Sequence, residues 1–309
     1  MNPPAPEPST GLGTPVAPET SSGPGTSEGL VLMGHGSRDP AGVTEFLALA
    51  ALVRAAVAPT PFAPGLIELA RPDLDEALDA VVTAGARDVV MVPLVLLPAG
   101  HLKDDGPAAL ERARTRHPAV RFRYGRELGP HPSLLALAAT RAEEALARLP
   151  GDGPAAVALV GRGSTDPDAN AELFKVARLL EEGRGLPDVE AGFVSLAPPR
   201  VEEVLERCRR LGATRIAVVP YFLFTGVLVE RIAAQTLGWA ARTPGVAVAV
   251  AAHLGPAPAI AALVLERATE VRAGTVQASC DCCIYRSPLP GFEHRVGVPP
   301  PTTSTPPLR

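Results

Sequence analysis

From Gly29 to Leu149, short runs of consecutive apolar residues alternate with longer segments whose apolar positions recur about every three to four residues. Runs of the first kind read as strands buried on both faces, and segments of the second kind as helices packed on one face. The alternation predicts strand Gly29–Met33, a helix near Ala41–Ala58, strand Gly65–Leu69, helix Pro72–Ala84, strand Asp88–Pro93, helix Asp105–Arg116, strand Val120–Tyr124 and helix Pro132–Leu149. The second predicted helix carries its own boundary signals. Pro72 falls in its first turn, where a missing amide proton costs nothing, and Gly85 falls just past its last, where a left-handed residue is wanted. Strict alternation of this kind describes an α/β unit built on a four-stranded parallel sheet.

After the turn signal Pro150–Pro154 the same text begins again. VALVGRGSTDP (157–167) answers LVLMGHGSRDP (30–40), FVSLAPPRVEEVL (193–205) answers LIELARPDLDEAL (66–78), and GATRIAVVPYFLFTG (212–226) answers GARDVVMVPLVLLPA (85–99), all at one offset of 127 positions. A repeat this long predicts two copies of one α/β unit, each with its own sheet flanked by helices, and a cleft between two lobes. The loops after the two first strands should face each other across that cleft, where ligands commonly bind.

A duplicated fold keeps its glycines and strands in both copies but needs reactive side chains only once, so the differences are informative. His35 is answered by Arg162, Glu68 by Ser195 and His101 by Leu228, whereas Gly34, Gly36, Ser37, Asp39, Pro72, Gly85 and Pro93 keep their counterparts. His35, Glu68 and His101 are expected at the carboxyl ends of the first three strands, which are neighbours in a flavodoxin-like order 2-1-3-4. Two imidazoles and one carboxylate with open positions suit a first-row divalent metal such as Fe, Co, Ni or Zn. The glycines of the GxGS loops fit either a tight turn or a cradle of backbone amides for an anion. Arg38, Arg71, Lys103, Arg162 and Arg200, in loops at strand ends, could together receive a polyanion.

Composition bounds the rest. Residues 1–27 are rich in Pro, Gly, Ser and Thr and read as a disordered arm; 28–150 and 151–275 are the two lobes; 276–309 form a cysteine-containing tail, also read as disordered. A chain of 309 residues with 46% hydrophobic and 20% charged content is ordinary for a globular enzyme. The formal charge of −4 and 4% aromatic share argue against a nucleic-acid surface. The longest apolar run, Val89–Ala99, is interrupted by Pro93 and Pro98 and is too short for a membrane span, so a cytoplasmic location is expected. Cys208 stands alone in a helical pattern while Cys280, Cys282 and Cys283 crowd into the tail, a layout unlike a disulfide framework.

The GHGSRDP loop, the LIELARP and VPLVLLPAGHLKDD segments and the duplication resemble the class II tetrapyrrole chelatases, specifically the two-lobed CbiX-type sirohydrochlorin cobaltochelatases, over about residues 29–273. The tail SCDCCIYRSPLPGFEHRVG (279–297) is similar to the C-terminal extension of the long members, which carries a cysteine element associated with an iron–sulfur cluster. The resemblance implies two duplicated chelatase-like lobes, the first catalytic and the second degenerate, and ATP-independent insertion of Co²⁺ into sirohydrochlorin on the way to cobalamin. His35 and His101 would be metal ligands and proton acceptors, with Glu68 the intervening acid. Ser37, Arg38, Lys103, Arg162 and Ser164 would meet the macrocycle, and Cys280, Cys282 and Cys283 would hold a cluster, with Cys208, His294 or a second subunit of a homo-oligomer completing its ligands. Two alternatives stay open: a sirohydrochlorin ferrochelatase of sirohaem synthesis, since the same donors accept Fe²⁺, and a non-catalytic two-lobed carrier of metal or tetrapyrrole.

Overall fold

A computed structural model of the chain describes residues 27–276 and 293–296. The first repeat runs β1 (Glu28–Gly34), α1 (Pro40–Val57), β2 (Phe62–Leu66), α2 (Leu74–Thr83), β3 (Asp88–Pro93), a π-helical turn (His101–Asp105), α3 (Gly106–Arg116), β4 (Arg121–Tyr124) and α4 (Pro132–Leu146). The second runs β5 (Ala155–Gly161), α5 (Pro167–Arg184), β6 (Val189–Phe193), α6 (Val201–Arg210), β7 (Arg215–Pro220), α7 (Val227–Ala241), β8 (Ala247–Val250) and α8 (Pro258–Ala273). Each repeat forms one parallel four-stranded sheet, ordered β2-β1-β3-β4 and β6-β5-β7-β8. Both the α/β class and the strand order agree with the reading of the sequence.

Two local expectations are corrected. The second strand lies at Phe62–Leu66 rather than Gly65–Leu69. Pro64 reads as a strand breaker, but β2 is the edge strand of its sheet, so an absent amide proton on the outer side breaks no ladder. Pro72 lies outside α2 rather than in its first turn. Asp73 is the N-cap and forms a reciprocal capping box with Glu76, each side chain accepting a backbone N–H of the other. At the far end Gly85, with φ +101°, takes the left-handed position as expected.

Strand alternation sets the layers. Leu30 and Leu32 point inward to a core shared by both sheets, while Val31 and Met33 point outward to α2 and α3; Val157 and Leu159 repeat the inward pattern, and Ala158 and Val160 the outward one. The helices of the shared core are exchanged between repeats. The last helix of the first repeat, α4, packs on β7 and α5, and the last helix of the second, α8, packs on β3 and α1. Backbone and side-chain bonds fasten the exchange: Arg215 donates to the Leu146 carbonyl, Arg123 to the Val271 carbonyl, and buried Arg267 to the carbonyls of Glu127 and Leu128. The first helix, α1, has the length and hydropathy of a membrane span. One face of it, however, places Phe46, Leu49 and Val53 in the shared core, each worth about 1.5–3 kcal/mol of burial.

Candidate functional site

The carboxyl ends of β1, β3, β5 and β7 open on one cavity of about 660 Å³ between the lobes, within the range of small-molecule sites. Its walls are mostly apolar, from Leu94–Leu97 of the first lobe to Tyr221–Phe224 of the second, and its polar groups include His35, Ser37, Asp104, Asp105, Arg162 and Ser164.

Backbone ladders carry His35 to the rim and bring Glu68 beside it. Beyond the ends of β1 and β2, the Ile67 amide donates to the Gly34 carbonyl and the Glu68 amide to the His35 carbonyl. The second lobe repeats both bonds with Val194 to Gly161 and Ser195 to Arg162. Gly36, at φ +98°, is required by this closeness, since a Cβ there would collide with the Glu68 carbonyl oxygen; Gly163 stands in the same relation to Ser195. Of the two roles open to the loop glycines, the geometry supplies the tight turn. Ser37 and Ser164 help to shape these turns, each hydroxyl accepting the amide of the aspartate two residues on, Asp39 and Asp166, at 3.0 Å.

The two loops face each other as expected. Arg162 Nη1 lies 3.4 Å from His35 Nε2, and Glu68 Oε1 lies 3.7 Å from His35 Nδ1. A guanidinium only donates, so this contact suits a neutral His35 whose Nε2 lone pair faces the second lobe and whose ring proton lies on Nδ1, on the Glu68 side. The imidazole is thus held with its basic nitrogen towards the cleft.

His101 is not at a strand end. Leu94–Gly100 separate it from β3, and it begins the π turn His101–Asp105; its side chain lies outside the described residues. Among the described residues, no three His, Cys, Asp or Glu side chains are grouped as a metal site. His35 and Glu68 are the described part of the expected donor set.

The basic residues separate. Arg162 is exposed and lines the cavity, whereas Arg38, Arg71 and Arg200 are exposed outside its walls, Arg71 paired with Glu76. Lys103 is no free cation for a substrate carboxylate. Its ammonium, 8% exposed, contacts Asp166 at 2.7 Å and Asp168 at 3.1 Å across the lobe boundary. Burial draws its pKa down, but the hydrogen bonds and charges of Asp166 and then Asp168 outweigh that and leave it raised. Removing one partner from such a buried pair costs about 3–5 kcal/mol.

Asp104 and Asp105 line the cavity and were not singled out in the sequence, although the repeat marks them: their counterparts are Arg231 and Ile232. Of the tail, Cys280, Cys282 and Cys283 lie outside the described residues, and His294 is exposed on a 3₁₀ turn. Cys208 cannot complete a cluster. It is fully buried in the outer core of the second lobe, and that burial pushes its thiol up to about 12, so it stays protonated.

Comparison with known proteins fits this geometry. The family model described as CbiX matches residues 29–145 and again 156–271. A sirohydrochlorin cobaltochelatase of Priestia megaterium is 38% identical over 261 residues, 83% of this chain and 84% of the relative. A sirohydrochlorin ferrochelatase of Bacillus subtilis (strain 168) is 29% identical over 248 residues, 80% of this chain and 93% of the relative. Among solved structures, SirB from Bacillus subtilis with Fe³⁺ superposes with a TM-score of 0.72 at 28% identity, over 81% of this chain and 97% of that one.

Proposed function

The chain belongs to the CbiX family, and from that membership we propose that it is a sirohydrochlorin chelatase whose substrate metal is Co²⁺. The observation that carries the reading is His35, its Nε2 turned to an interlobe cavity and Glu68 behind its Nδ1, in the first lobe only. The reaction takes sirohydrochlorin and M²⁺ to the metallated macrocycle and two protons, both lost from pyrrolic nitrogens. A site for it needs bases that are neutral near pH 7 and ligands weak enough to release the ion, and imidazole meets both demands. His35 and His101 are assigned as transient ligands and proton acceptors. Glu68 favours the imidazolium that forms when His35 takes a proton. The apolar walls receive the macrocycle, and Arg162 receives one of its carboxylates, with Ser37 and Ser164 at the same rim.

Cobalt is preferred because the cobaltochelatase of Priestia megaterium is 38% identical over 83% of this chain, whereas the ferrochelatases of Bacillus subtilis and Priestia megaterium are 29% and 32% identical over 80% and 54% of it. The tail thiolates of Cys280, Cys282 and Cys283 are assigned to an iron–sulfur cluster apart from the insertion chemistry. The test is an anaerobic absorbance assay of purified protein with excess sirohydrochlorin and either Co²⁺ or Fe²⁺. Sub-stoichiometric protein should convert all the tetrapyrrole, faster with Co²⁺. Conversion that stops at one equivalent would identify a carrier, and faster insertion of Fe²⁺ would reassign the metal.

A further inference from the structure

The second lobe lacks His35, Glu68 and His101 counterparts, yet it supplies both partners of the buried cation in the first lobe's most unusual segment. The π turn His101–Asp105 is tied down on two sides. From below, the Tyr124 hydroxyl donates to the Leu102 carbonyl at 2.9 Å. From across the lobe boundary, Asp166 and Asp168 hold the Lys103 ammonium. Asp166 is itself fixed, because its other carboxylate oxygen caps α5 by accepting the Asp168 amide.

The arrangement is one-sided in the same sense as the histidines. The counterpart of Lys103 is Glu230 and that of Asp168 is Ala41, so the reciprocal contact cannot form. In the second lobe the corresponding segment, from Leu228, is ordinary α-helix within α7, and the π geometry occurs where the chain departs from it to carry His101. Such π turns are frequent at functional sites.

We infer that Lys103 is a positioning residue: clamped by Asp166 and Asp168, it sets the π turn that carries His101, and the second lobe thereby fixes the metal-binding geometry of the first. This rests on the assignment of His101 as a ligand and base. Groups that orient metal ligands typically alter metal affinity by about 10–100-fold. The clamp sets a turn that adds Leu102, Asp104 and Asp105 to one rim of the cavity and leaves the apolar walls Leu94–Leu97 and Tyr221–Phe224 in place, so its loss should weigh on the metal more than on the macrocycle.

The test uses the full chain under anaerobic conditions and measures KM for Co²⁺, KM for sirohydrochlorin and Co²⁺ binding by absorbance without the tetrapyrrole. Lys103→Met should raise the Co²⁺ KM and weaken Co²⁺ binding by at least about tenfold while sirohydrochlorin KM moves less than about twofold. Lys103→Arg, which keeps the charge, should recover most of the loss. Arg126→Gln breaks another ion pair between repeats, with Glu270, and should lower Tm without moving the Co²⁺ KM. Should Lys103→Met fail to fold, Asp168→Asn decides, since it keeps the Asp166 contact and should shift the Co²⁺ KM several-fold in the same direction. A Co²⁺ KM within about twofold of wild type in the folded clamp variant, alongside a large loss in His101→Ala, overturns the clamp alone. An unaffected His101→Ala overturns the ligand assignment and the clamp with it.

Discussion

Two loops with the same backbone face each other across the cleft and differ in what they present. The first offers an imidazole backed by a carboxylate; the second offers a guanidinium backed by a serine. Their ladders, positive-φ glycines and serine-capped turns coincide, so the difference lies in side chains alone. Duplication supplied two scaffolds of equal precision, and the imidazole–carboxylate pair occupies one of them. The other keeps a permanent positive charge 3.4 Å from the basic nitrogen, which suits reception of an anionic macrocycle and cannot bind a metal.

The sharpest way to break this comparison is to remove the groups found on one side only. His35→Ala and His101→Ala should each lower metal insertion by about 10²-fold, the scale of losing a positioned acid–base group. Normal turnover in both folded variants would mean that the asymmetry is incidental. The matching change on the other side is gentler. Arg162→Met removes a cation that lines the cavity but no proton acceptor, so sirohydrochlorin KM should rise by about tenfold with kcat within about twofold. A fall in kcat as large as that of His35→Ala would give both loops a part in the chemistry.

Much of this comparison was legible before the structure. Apolar runs located the strands because those strands are buried on both faces, and the 127-residue offset exposed the repeat and, by subtraction, His35 and Glu68. What escaped is long-range. Pro64 hid the start of β2, since a sequence does not say which strand is an edge. The chain order shows that α4 and α8 each follow the last strand of their repeat, but not that each covers the other repeat's sheet. The segment after β3 contains no signal for a π turn. Lys103 looked like a cation for the substrate because its partners lie 63 and 65 residues away in the other repeat. Asp104 and Asp105 were recoverable by the same subtraction that found the histidines.

The smallest expected effect sharpens the comparison away from the cleft. Cys208 on α6 and its counterpart Val81 on α2 occupy the same buried position in the two outer cores, so a thiol replaces a methyl pair. Burial, and then the charges of Glu190 and Asp188, raise the Cys208 pKa from 9.0 to about 12. Between those values the unfolded chain loses the proton and the folded chain keeps it; the unfolded state binds fewer protons, and stability falls as pH rises. The loss amounts to about 1 kcal/mol by pH 10. Cys208→Val, which gives the second lobe the first lobe's residue, should remove that part of the alkaline decline while changing stability at pH 7 by less than about 1.5 kcal/mol. Urea denaturation of both proteins at pH 8 and pH 10 measures it. Lys103, Tyr124 and Tyr221 also have raised pKa values and pull in the same direction, so only the difference between the two proteins belongs to Cys208. Parallel pH profiles would remove Cys208 from the alkaline loss and leave it to other groups, among them Lys103 and Tyr124, which hold the π turn.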